Sequence, residues 1–571
     1  MRWVLKEPAE SPGPAEPDPV PRLVRRLLRA RGLASDEQVR AFLAPALEDL
    51  SDSALLPDVA PAIERLRKAL DRRETIFVFG DYDVDGLTAT ALMCRYLERL
   101  GANVRARVPE RLGEGYGLSP KIVEEAESLG ARLLIAADSG TNAREAVAKA
   151  NALGIDVIVA DHHQIEGDLP RADAVVNPWR EDSSYPFPDL AAVGIVARLL
   201  DALWRSGAGS GQGWPSPREY LDLVALGTIA DNVRLEGDNR ILAHAGLSLL
   251  RRAPRPAMRA LMKVAGVVPE RLGSSDVGYR LAPRLNAAGR VGEASVALSL
   301  LLCDDEERCQ ALAMALDCHN QERRRLLDRV EREATEMAEA DPRRLSGAPL
   351  LLQSDRWHPG VLGIAAARMA DRFGVPAILL ASDGATLRGS GRTAGRWDLL
   401  DLVRLCADDL LTFGGHRAAV GLSLAPDAFE RFRERFLDAA MARGISSSEG
   451  ERVQEIDARA DLEEVDLDFL DWLERLEPFG AGNNEPVLAL KGTVSGGVRV
   501  LKDEHLKFDL TDGRTRRECI GFGWAGQARW LEGQRGDVHV AASASRNVYR
   551  GEERIQLQVR GLSGENPFGN G

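Results

Sequence analysis

The stretch "GDYDVDG" at residues 80–86 gathers negative charge at the point where a buried strand is predicted to end. It follows the apolar run "TIFVF" (75–79), which is typical of a buried strand, and it carries carboxylates at alternate positions, Asp81, Asp83 and Asp85. Alternate side chains of an extended segment share a face, so these carboxylates would point together if the strand continued. Clustered carboxylates must be protonated, paired or bound to metal, and no lysine or arginine nearby in the sequence could pair with all of them.

Other apolar runs also end in acidic or imidazole side chains. The run "LLIAADSG" ends in Asp138, and "IDVIVADHH" ends in Asp161, His162 and His163. The run "LVALGTIADN" ends in Asp231, although it fits a helix as well as a strand. The carboxyl ends of parallel strands lie along one edge of an open sheet, where ligands bind. We therefore expect these side chains to converge in one crevice.

The rest of the chain predicts two α/β regions followed by a C-terminal β domain. Between 75 and about 235, short apolar runs alternate with helical patterns, which predicts βαβ units and a mostly parallel sheet. Residues 292–340 contain no proline and no internal glycine, which predicts one or two long connecting helices before a second α/β region. Beyond about 455, closely spaced strands fit a small β-barrel such as an OB-fold, or another β domain.

Composition narrows the classes of function. The 571 residues have a net charge of −13, which argues against a uniformly basic nucleic-acid protein but does not exclude local basic patches. No apolar stretch is long enough to cross a bilayer, and the first residues lack the features of a secretory signal, so we expect a cytoplasmic protein with no membrane contact. The six cysteines form no CxxC pair and are expected to be reduced.

The predicted cluster has the chemistry of a divalent metal site. Carboxylate oxygens with one or two imidazoles suit Mn²⁺ or Mg²⁺ better than a tetrahedral zinc site. There are enough ligands for two ions, and Asp138 is the most natural bridge between ions about 3.5–4 Å apart, a spacing that activates water for phosphoester hydrolysis. A single aspartate at a strand end is usually a turn or N-cap residue, but the shared topological position favours ligation.

Four motifs, in order, carry a family resemblance: "GDYDVDG", "AADSG", "VADHH" and "ALGTIADNV". They resemble the metal motifs of the DHH phosphoesterase superfamily, in particular its bacterial single-stranded-DNA exonucleases. Later segments resemble further signatures of these enzymes, including their DHHA1 domain: "LAPRLNAAGR" (281–290), "WHPGVLGIAAARM" (357–369), "GSGR" (389–392), "GGHRAAVGL" (414–422) and "PFGAGNNEPV" (478–487).

The resemblance implies two α/β domains joined by a long helix, with a C-terminal OB-fold. The expected domains are an N-terminal helical lead-in (1–70), the DHH domain (71–290), connecting helices (291–342), the DHHA1 domain (343–450) and the OB-fold-like domain (451–562).

The resemblance also implies how two divalent cations, Mn²⁺ or Mg²⁺, would be held. Asp83 would bind one ion, and Asp85 and His162 the other. Asp138 would lie between the ions, and Asp231 would complete the second site.

Catalytic roles follow for the remaining residues of the cluster. His163 would face the scissile phosphate and assist charge stabilisation or proton transfer, with Asp161 orienting the imidazoles. Many DHH proteins place a histidine four residues before the first metal-binding aspartate, whereas this chain has Phe79 there. Asp81 or water is expected to take its place.

DNA and phosphate contacts are expected from basic and polar motifs, at Arg111, Tyr116, Arg280, Arg284, Asn286, Arg290, Ser390, Arg392 and His416. Tyr116 could stack on a base, and the loop-like stretch 280–290 crowds cations that need an anionic partner, a strand of DNA or local acids. "GSGR" and "GGHRAAVG" are expected to be glycine-rich turns that cradle phosphate. In the β domain, cations interleaved with Phe508 and Tyr549 fit non-specific single-strand binding.

These inferences imply a metal-dependent exonuclease that hydrolyses single-stranded DNA from the 5′ end to 5′-mononucleotides, in recombinational and mismatch repair. The expected partners are a 5′-ended single strand, a single-strand-binding protein and a helicase, and we expect a monomer. One alternative is a DHH nano-RNase or phosphatase acting on short oligonucleotides, which usually lacks the extra N-terminal helices and the β domain. The other is a non-catalytic DNA-binding scaffold, which would have no use for the cluster of charge.

Overall fold

A computed structural model describes residues 2–6, 20–111, 114–115, 117–208, 213–341, 347–382, 384–393, 397–445, 453–549 and 552–568. The N-terminal elements are β1 (Arg2–Leu5), α1 (Arg22–Ala30), α2 (Asp36–Leu43) and α3 (Val59–Asp71). Among the described helices, each is too short or too polar to cross a membrane.

The first α/β unit confirms the predicted parallel sheet. Its elements are β2 (Thr75–Gly80), α4 (Val84–Arg99), β3 (Asn103–Arg107), α5 (Pro120–Ser128), β4 (Ala131–Ala137), α6 (Arg144–Ala152), β5 (Asp156–Ala160) and β6 (Ala174–Val176). The strand order is β3-β2-β4-β5-β6, and every pairing is parallel. Apolar clusters cover both faces, which is why the strands read as continuous hydrophobic runs.

A helical layer follows the sheet: α7 (Ala192–Ala208), α8 (Leu221–Ala230), α9 (Gly237–Leu250), α10 (Pro256–Ala265), α11 (Ser274–Asp276), a π-helical turn (Val277–Leu281) and α12 (Ala282–Val291). The run before Asp231 is therefore a helix, the second of the two readings. The stretch 280–290 was expected to be loop-like, and this was wrong. Its proline, Pro283, lies in the first turn of α12, directly after the π-helical turn.

The second α/β unit follows α13 (Ala294–Leu301) and the 35-residue α14 (Glu306–Ala340), which confirms a long connecting helix. Its elements are β7 (Leu350–Ser354), α15 (Leu362–Phe373), β8 (Ala377–Ser382), β9 (Leu387–Arg392), α16 (Leu399–Arg404), β10 (Thr412–His416), β11 (Ala419–Leu424) and α17 (Phe429–Ala442). The sheet order is β10-β11-β9-β8-β7, with only β7 and β8 parallel among the pairings of the described strands.

Of the two glycine-rich motifs of this unit, which were expected to be turns, "GSGR" is part of a strand and "GGHRAAVG" is two strand segments around a two-residue turn. "GSGR" ends β9 and "GGH" ends β10, and the hairpin turn lies at residues 417–418. Glycine is needed there because the neighbouring strands come very close. A Cβ on Gly391 would lie 2.7 Å from Val420 Cγ2, and one on Gly415 would lie 2.2 Å from the carbonyl oxygen of Ala419.

The C-terminal unit is a closed barrel and confirms the OB-fold prediction. Its elements are β12 (Val453–Ile456), β13 (Ala458–Arg459), α18 (Leu467–Leu476), β14 (Leu488–Leu501), β15 (His505–Thr511), β16 (Arg516–Gly521), α19 (Ala528–Gly533), β17 (Val538–Tyr549) and β18 (Glu552–Ser563). Neighbouring strands of its sheet follow the spatial order β14-β15-β16-β18-β17. The two outer strands of this series, β14 and β17, also pair with each other and close the barrel. Phe508 is 1% exposed in its core and is not available to stack on a base.

The N-terminal segment contributes to two other cores. Strand β1, which the sequence did not predict, pairs in parallel with β12, and α1 buries Val24, Leu27 and Leu28 in the barrel core. Helix α3 instead buries Ala62 and Leu66 against the first α/β unit. The described part of this lead-in therefore links the first and last units of the chain.

Candidate active site

The carboxylates of Asp83 and Asp85, which follow β2, are positioned by the N-terminus of helix α4. The strand ends at Gly80, and Asp83 is the N-cap residue of α4, accepting a 3.0 Å hydrogen bond from the backbone N–H of Gly86. Asp85 lies in the first turn, where its carboxylate accepts the backbone N–H groups of Ala192 (2.7 Å) and Val193 (2.9 Å) at the start of α7. Alternation along a strand is therefore not the cause of the convergence; two helix N-termini hold these anions instead.

Asp138 follows β4 in a backbone conformation that side chains seldom adopt. Its φ of +58° is left-handed, and its N–H donates to the carbonyl of Ala160 at the end of β5 (2.9 Å). The side chain is buried, and its Oδ1 atom accepts no hydrogen bond from the described residues. A buried carboxylate oxygen without a donor is costly unless a cation or a proton is bound to it.

Asp161 organises the two histidines that follow β5. Its Oδ1 accepts the His162 backbone N–H (2.8 Å), the His163 backbone N–H (3.2 Å) and the His163 Nδ1–H (2.7 Å). Its Oδ2 accepts the backbone N–H of Thr141 (2.9 Å). Asn177 donates to the His163 carbonyl (2.9 Å) and to the Thr141 hydroxyl (3.0 Å), so it braces both loops.

The side chains meet around His162. Its Nε2 atom lies 3.3 Å from Asp138 Oδ1 and 4.0 Å from Asp85 Oδ2, and its Nδ1 atom lies 3.9 Å from Asp231 Oδ2. Three overlapping sets of ligand atoms each lie within 4.8 Å of one another: Asp138, His162 and His163; Asp85, His162 and Asp231; Asp81, Asp83 and Asp138.

These sets fit divalent cations that prefer oxygen with some imidazole, namely Mn²⁺ and Mg²⁺. Asp81, a candidate substitute for the missing histidine, joins Asp83 in the third set, and its buried Oδ1 also accepts no hydrogen bond from the described residues. Phe79 is fully buried in an apolar cluster.

Burial and mutual repulsion raise the carboxyl pKa values of this cluster. The pKa of Asp138 lies well above its usual value because the group is buried and because Asp83 and Asp85 are close. For the same reasons the pKa of Asp231 rises to about 9, and burial with repulsion from Asp83 raises that of Asp81 to about 7. Without metal, this site holds protons at neutral pH.

The pKa of Asp161 is shifted in the opposite direction, to below its usual value. Burial alone would raise its pKa, but its hydrogen bonds with His163 and Thr141 outweigh burial and hold the pKa below the usual value. Burial would lower the pKa of His163, yet the hydrogen bond to Asp161 raises it. His163 is therefore predisposed to be protonated beside the clustered carboxylates.

Three arginine side chains, Arg111, Arg290 and Arg392, lie near Tyr82 and the carboxylates and are here called the cationic group. The Arg111 guanidinium carbon lies 5.1 Å from the centre of the Tyr82 ring, and a Cβ on Gly289 would be 3.6 Å from Tyr82 Cβ. Burial, and then the charge of Arg111, lowers the pKa values of both Arg290, to about 10, and Arg392. These predicted phosphate contacts therefore lie within one electrostatic neighbourhood.

Residues of the second α/β unit contact this cationic group and belong to it. Arg392 Nη1 lies 3.3 Å from Ser390 Oγ, to which it donates, and Arg290 donates to the carbonyl of Gly360 (3.3 Å). A Cβ on Gly360 would lie 2.1 Å from the Arg290 carbonyl oxygen, so the two α/β units meet closely at this point.

Two other predicted contacts are engaged by the protein itself. Arg280 pairs with Asp276 (3.0 Å) and donates to the carbonyl of Ala265 (2.8 Å). Arg284 is 8% exposed and pairs with Asp317 (2.8 Å). Arg280 matches the local salt bridge that the sequence left open as the alternative to a DNA contact, whereas the acid that pairs with Arg284 lies 33 residues further along the chain.

The remaining predicted contacts are spread more widely. Asn286 lies half-buried on α12, and His416 is exposed at the end of β10, an edge strand. Tyr116 lies outside the described residues, as does the side chain of Tyr549.

The sequence did not single out several residues of the site. Asn177, Thr141 and Tyr82 act on the predicted residues by hydrogen bonding or packing, and Tyr82 stands inside the quoted motif. Arg323 on α14 adds to the cationic group, and its Nη2 donates to Asn320 Oδ1 (2.9 Å). The clustering of arginines after Asn320 is a sequence signal for such a surface, but an amphipathic helix gives the same pattern.

Matches to known families agree with this geometry. The sequence matches the DHH family N-terminal domain over residues 75–228, the DHHA1 domain over 347–442 and the RecJ OB domain over 456–561. The fold and the site thus define a DHH phosphoesterase with a DHHA1 domain.

Similar proteins narrow the class. The chain is 37% identical to the single-stranded-DNA-specific exonuclease RecJ of Dickeya dadantii (strain 3937) over 96% of both chains, and 35% identical to that of Escherichia coli (strain K12) over 95% of this chain and 96% of the other. It belongs to the RecJ family.

Solved structures support the fold over most of the chain. A crystal structure of Thermus thermophilus RecJ in complex with Mn²⁺ has a TM-score of 0.77 at 29% identity, and covers 94% of this chain and 75% of that one. A Mg²⁺ complex of the same protein has a TM-score of 0.72 at 28% identity, covering 94% and 74%.

Proposed function

We propose that this protein is a metal-dependent exonuclease specific for single-stranded DNA. The observation that carries the proposal is the convergence of Asp85, Asp138, His162 and Asp231 at the carboxyl edge of the parallel sheet, with Asp138 Oδ1 buried and without a hydrogen bond among the described residues. The relatives at 35–37% identity are named single-stranded-DNA-specific exonucleases, and the matched crystal structures are complexes with Mn²⁺ and Mg²⁺.

The residues of the cluster would hold two divalent cations. Asp83, with Asp81, would bind one, and Asp85, His162 and Asp231 the other, with Asp138 shared between them. When bound, such a pair of cations activates water and neutralises charge on the phosphate. The donor set fits this role because each carboxylate lies beside others whose repulsion a cation would relieve.

His163 would act on the scissile phosphate. Asp161 fixes its Nδ1–H by a 2.7 Å hydrogen bond, which sets the ring orientation and favours the protonated form. A protonated imidazole at this place would stabilise developing negative charge or donate a proton to the leaving oxygen.

The cationic group would hold the strand on the far side of Tyr82. Arg111, Arg290 and Arg392 with Ser390 supply charge and donors for phosphate, and Asn286, His416 and Tyr116 are retained as proposed DNA contacts. Arg280 and Arg284 would contribute through structure, since Asp276 and Asp317 already pair with them. A narrow channel between the two α/β units would admit one strand and exclude a duplex.

The finer assignment follows the sequence-based expectation. The enzyme would act from the 5′ end, release 5′-mononucleotides, and serve recombinational and mismatch repair in the cytoplasm as a monomer. A single-strand-binding protein and a helicase would be its partners. We keep the domain division at 1–70, 71–290, 291–342, 343–450 and 451–562 as part of the proposal. Neither the oligonucleotide phosphatase nor the scaffold is favoured, because the relatives match over nearly the full length.

A nuclease assay tests the proposal directly. Single strands labelled at the 5′ or the 3′ end, blunt duplexes and dinucleotides are incubated with Mn²⁺, Mg²⁺ or chelator. We expect metal-dependent release of the 5′-labelled mononucleotide from single strands at the earliest times. Equal digestion of duplex would contradict the narrow channel, and a preference for dinucleotides would favour the phosphatase.

A further inference from the structure

Asp231 is held by helix α8 on its N-terminal side, whereas the residues that follow it, 232–236, are not helical. Asp231 is the C-cap residue of α8, and its N–H donates to the Gly227 carbonyl (3.0 Å). The chain then leaves the helix through Asn232, whose φ is +64°, and reaches α9 at Gly237. The position of the Asp231 carboxylate therefore depends on what fixes residues 232–236.

Asn239 fixes this segment from inside the domain. Its side chain is fully buried, and its Nδ2 group donates to the carbonyls of Arg234 (3.0 Å) and Asp189 (2.6 Å). Its Oδ1 accepts the N–H of Ala191 (3.3 Å). Ala191 directly precedes Ala192, whose N–H holds Asp85. One amide thus joins the segment after Asp231 to the helix start that positions Asp85.

The barrel domain fixes the same segment from outside. The N–H of Leu235 donates to the carbonyl of Ala481 (2.7 Å), within the "PFGAGNN" motif. A Cβ on Gly480 would lie 2.7 Å from Leu235 Cδ1, so only glycine fits without displacement of Leu235. Leu235 itself is 1% exposed, which leaves it little room to move.

The loop 478–484 of the barrel domain, here called the clamp loop, is itself rigidly anchored. Asn483 is buried and donates to the carbonyls of Leu476 (2.8 Å) and Pro478 (2.8 Å). The N–H of Phe479 donates to Ser274 Oγ (2.8 Å), which gives the loop a second contact with the DHH domain.

We propose that Asn239 and the clamp loop are positioning elements for the metal ligands Asp85 and Asp231, so that the barrel domain helps to form the metal site as well as to bind DNA. The inference rests on the proposed function of that site. Removing a group that hydrogen-bonds directly to a metal ligand typically changes metal affinity or activity by about 10–100-fold. Asn239 and the clamp loop act through backbone next to the ligands, so we expect the lower end of that range.

Mn²⁺ binding to the full-length protein, measured by isothermal titration calorimetry, tests the proposal without reference to turnover. Gly480→Ala should weaken the binding of Mn²⁺ by about 10-fold while leaving single-stranded-DNA affinity in chelator unchanged. Gly536→Ala is the matched control, because a Cβ there meets no atom within 4 Å. Asn239→Ala should weaken Mn²⁺ binding in the same direction.

A rescue variant separates positioning from general loss of structure. Replacing Leu235 by valine removes the atom that a Cβ at position 480 would meet, so Gly480→Ala with Leu235→Val should recover Mn²⁺ affinity. Unchanged Mn²⁺ affinity in Gly480→Ala would overturn the inference, as would a double variant that recovers thermal stability but not Mn²⁺ affinity. Absence of Mn²⁺ binding by the unmodified protein would instead contradict the proposed function.

Discussion

The Nδ1–H of His163 donates a 2.7 Å hydrogen bond to Oδ1 of Asp161, the same oxygen that accepts the backbone N–H groups of both histidines. The carboxylate raises the pKa of His163 against the effect of burial. Asp161→Asn keeps the shape but removes the charge, so the pKa of His163 should fall. We expect about 10–100-fold lower kcat and an alkaline limb of the pH–rate profile displaced to lower pH. An unmoved limb would contradict a protonated His163 in catalysis.

Asp138 offers a test of shared ligation. Asp138→Asn should lower kcat on the order of 10³-fold while sparing DNA affinity in chelator, because the amide removes a bridging charge. Asparagine tolerates the left-handed backbone at φ +58°, so this variant should fold normally. Asp138→Ala would combine loss of charge with backbone strain, and comparison of the two thermal midpoints measures that strain. Full activity in Asp138→Asn would end the two-ion assignment.

The raised carboxyl pKa values predict how pH acts on the metal-free protein. Asp81 and Asp231 have pKa values near 7 and 9 in the fold, against 3.8 for an unperturbed aspartate. Between the unperturbed pKa and these raised values, the folded state therefore binds more protons than the unfolded state. The free energy of unfolding should fall as pH rises through this whole range. Thermal unfolding in chelator should show a midpoint a few degrees lower at pH 8 than at pH 6.

Metal should reverse this trend, because bound cations replace the protons. Added Mn²⁺ should raise the thermal midpoint more at pH 8 than at pH 6, with release of protons on binding. Asp231→Asn should reduce the pH dependence in chelator. A metal-free protein whose stability rises between pH 6 and pH 8 would contradict the clustered carboxylates.

The cationic group can be tested by its salt dependence. Arg392→Ala should weaken single-strand binding and reduce the slope of log affinity against log salt by about 0.7, the value for one phosphate contact on a single strand. Arg280→Ala is the comparison, because Asp276 and backbone carbonyls already engage that guanidinium. We expect Arg280→Ala to lower the thermal midpoint and leave the salt slope unchanged. Equal slopes for Arg392→Ala and the unmodified protein would remove Arg392 from the interface.

The sequence predicted the sheet and the clustering of Asp138, Asp161, His162 and His163 beside it, because both depend on local patterns. Buried parallel strands are apolar runs, and their carboxyl ends face one edge whatever the details of the loops. The residues that hydrogen-bond to the segments around this cluster left no such pattern. Asn177 and Asn239 act through hydrogen bonds to distant backbone groups, and a lone asparagine in a sequence does not reveal its partners.

Errors in the sequence-based reading have physical causes as well. The stretch 280–290 was predicted to be loop-like, but it belongs to the π-helical turn and α12. Gly389, Gly391, Gly414 and Gly415 suggested turns, but they lie in strands, where Gly391 and Gly415 allow close packing. Arg280 and Arg284 lie in a cationic cluster by sequence, yet Asp317 is 33 residues beyond Arg284 and is brought to it by the fold.

The parallel pairing of β1 with β12 sets an order of events during synthesis. Val4 pairs with Glu455, so the first strand must wait for nearly the whole chain before its partner emerges from the ribosome. At about 5–20 residues per second, that delay is on the order of half a minute or more. The parallel sheet of the DHH domain, built from nearby segments, can form in the meantime. The N-terminal strand therefore stays unpaired until the start of the barrel domain has been made, and a chain released before that point would leave it exposed to other β edges.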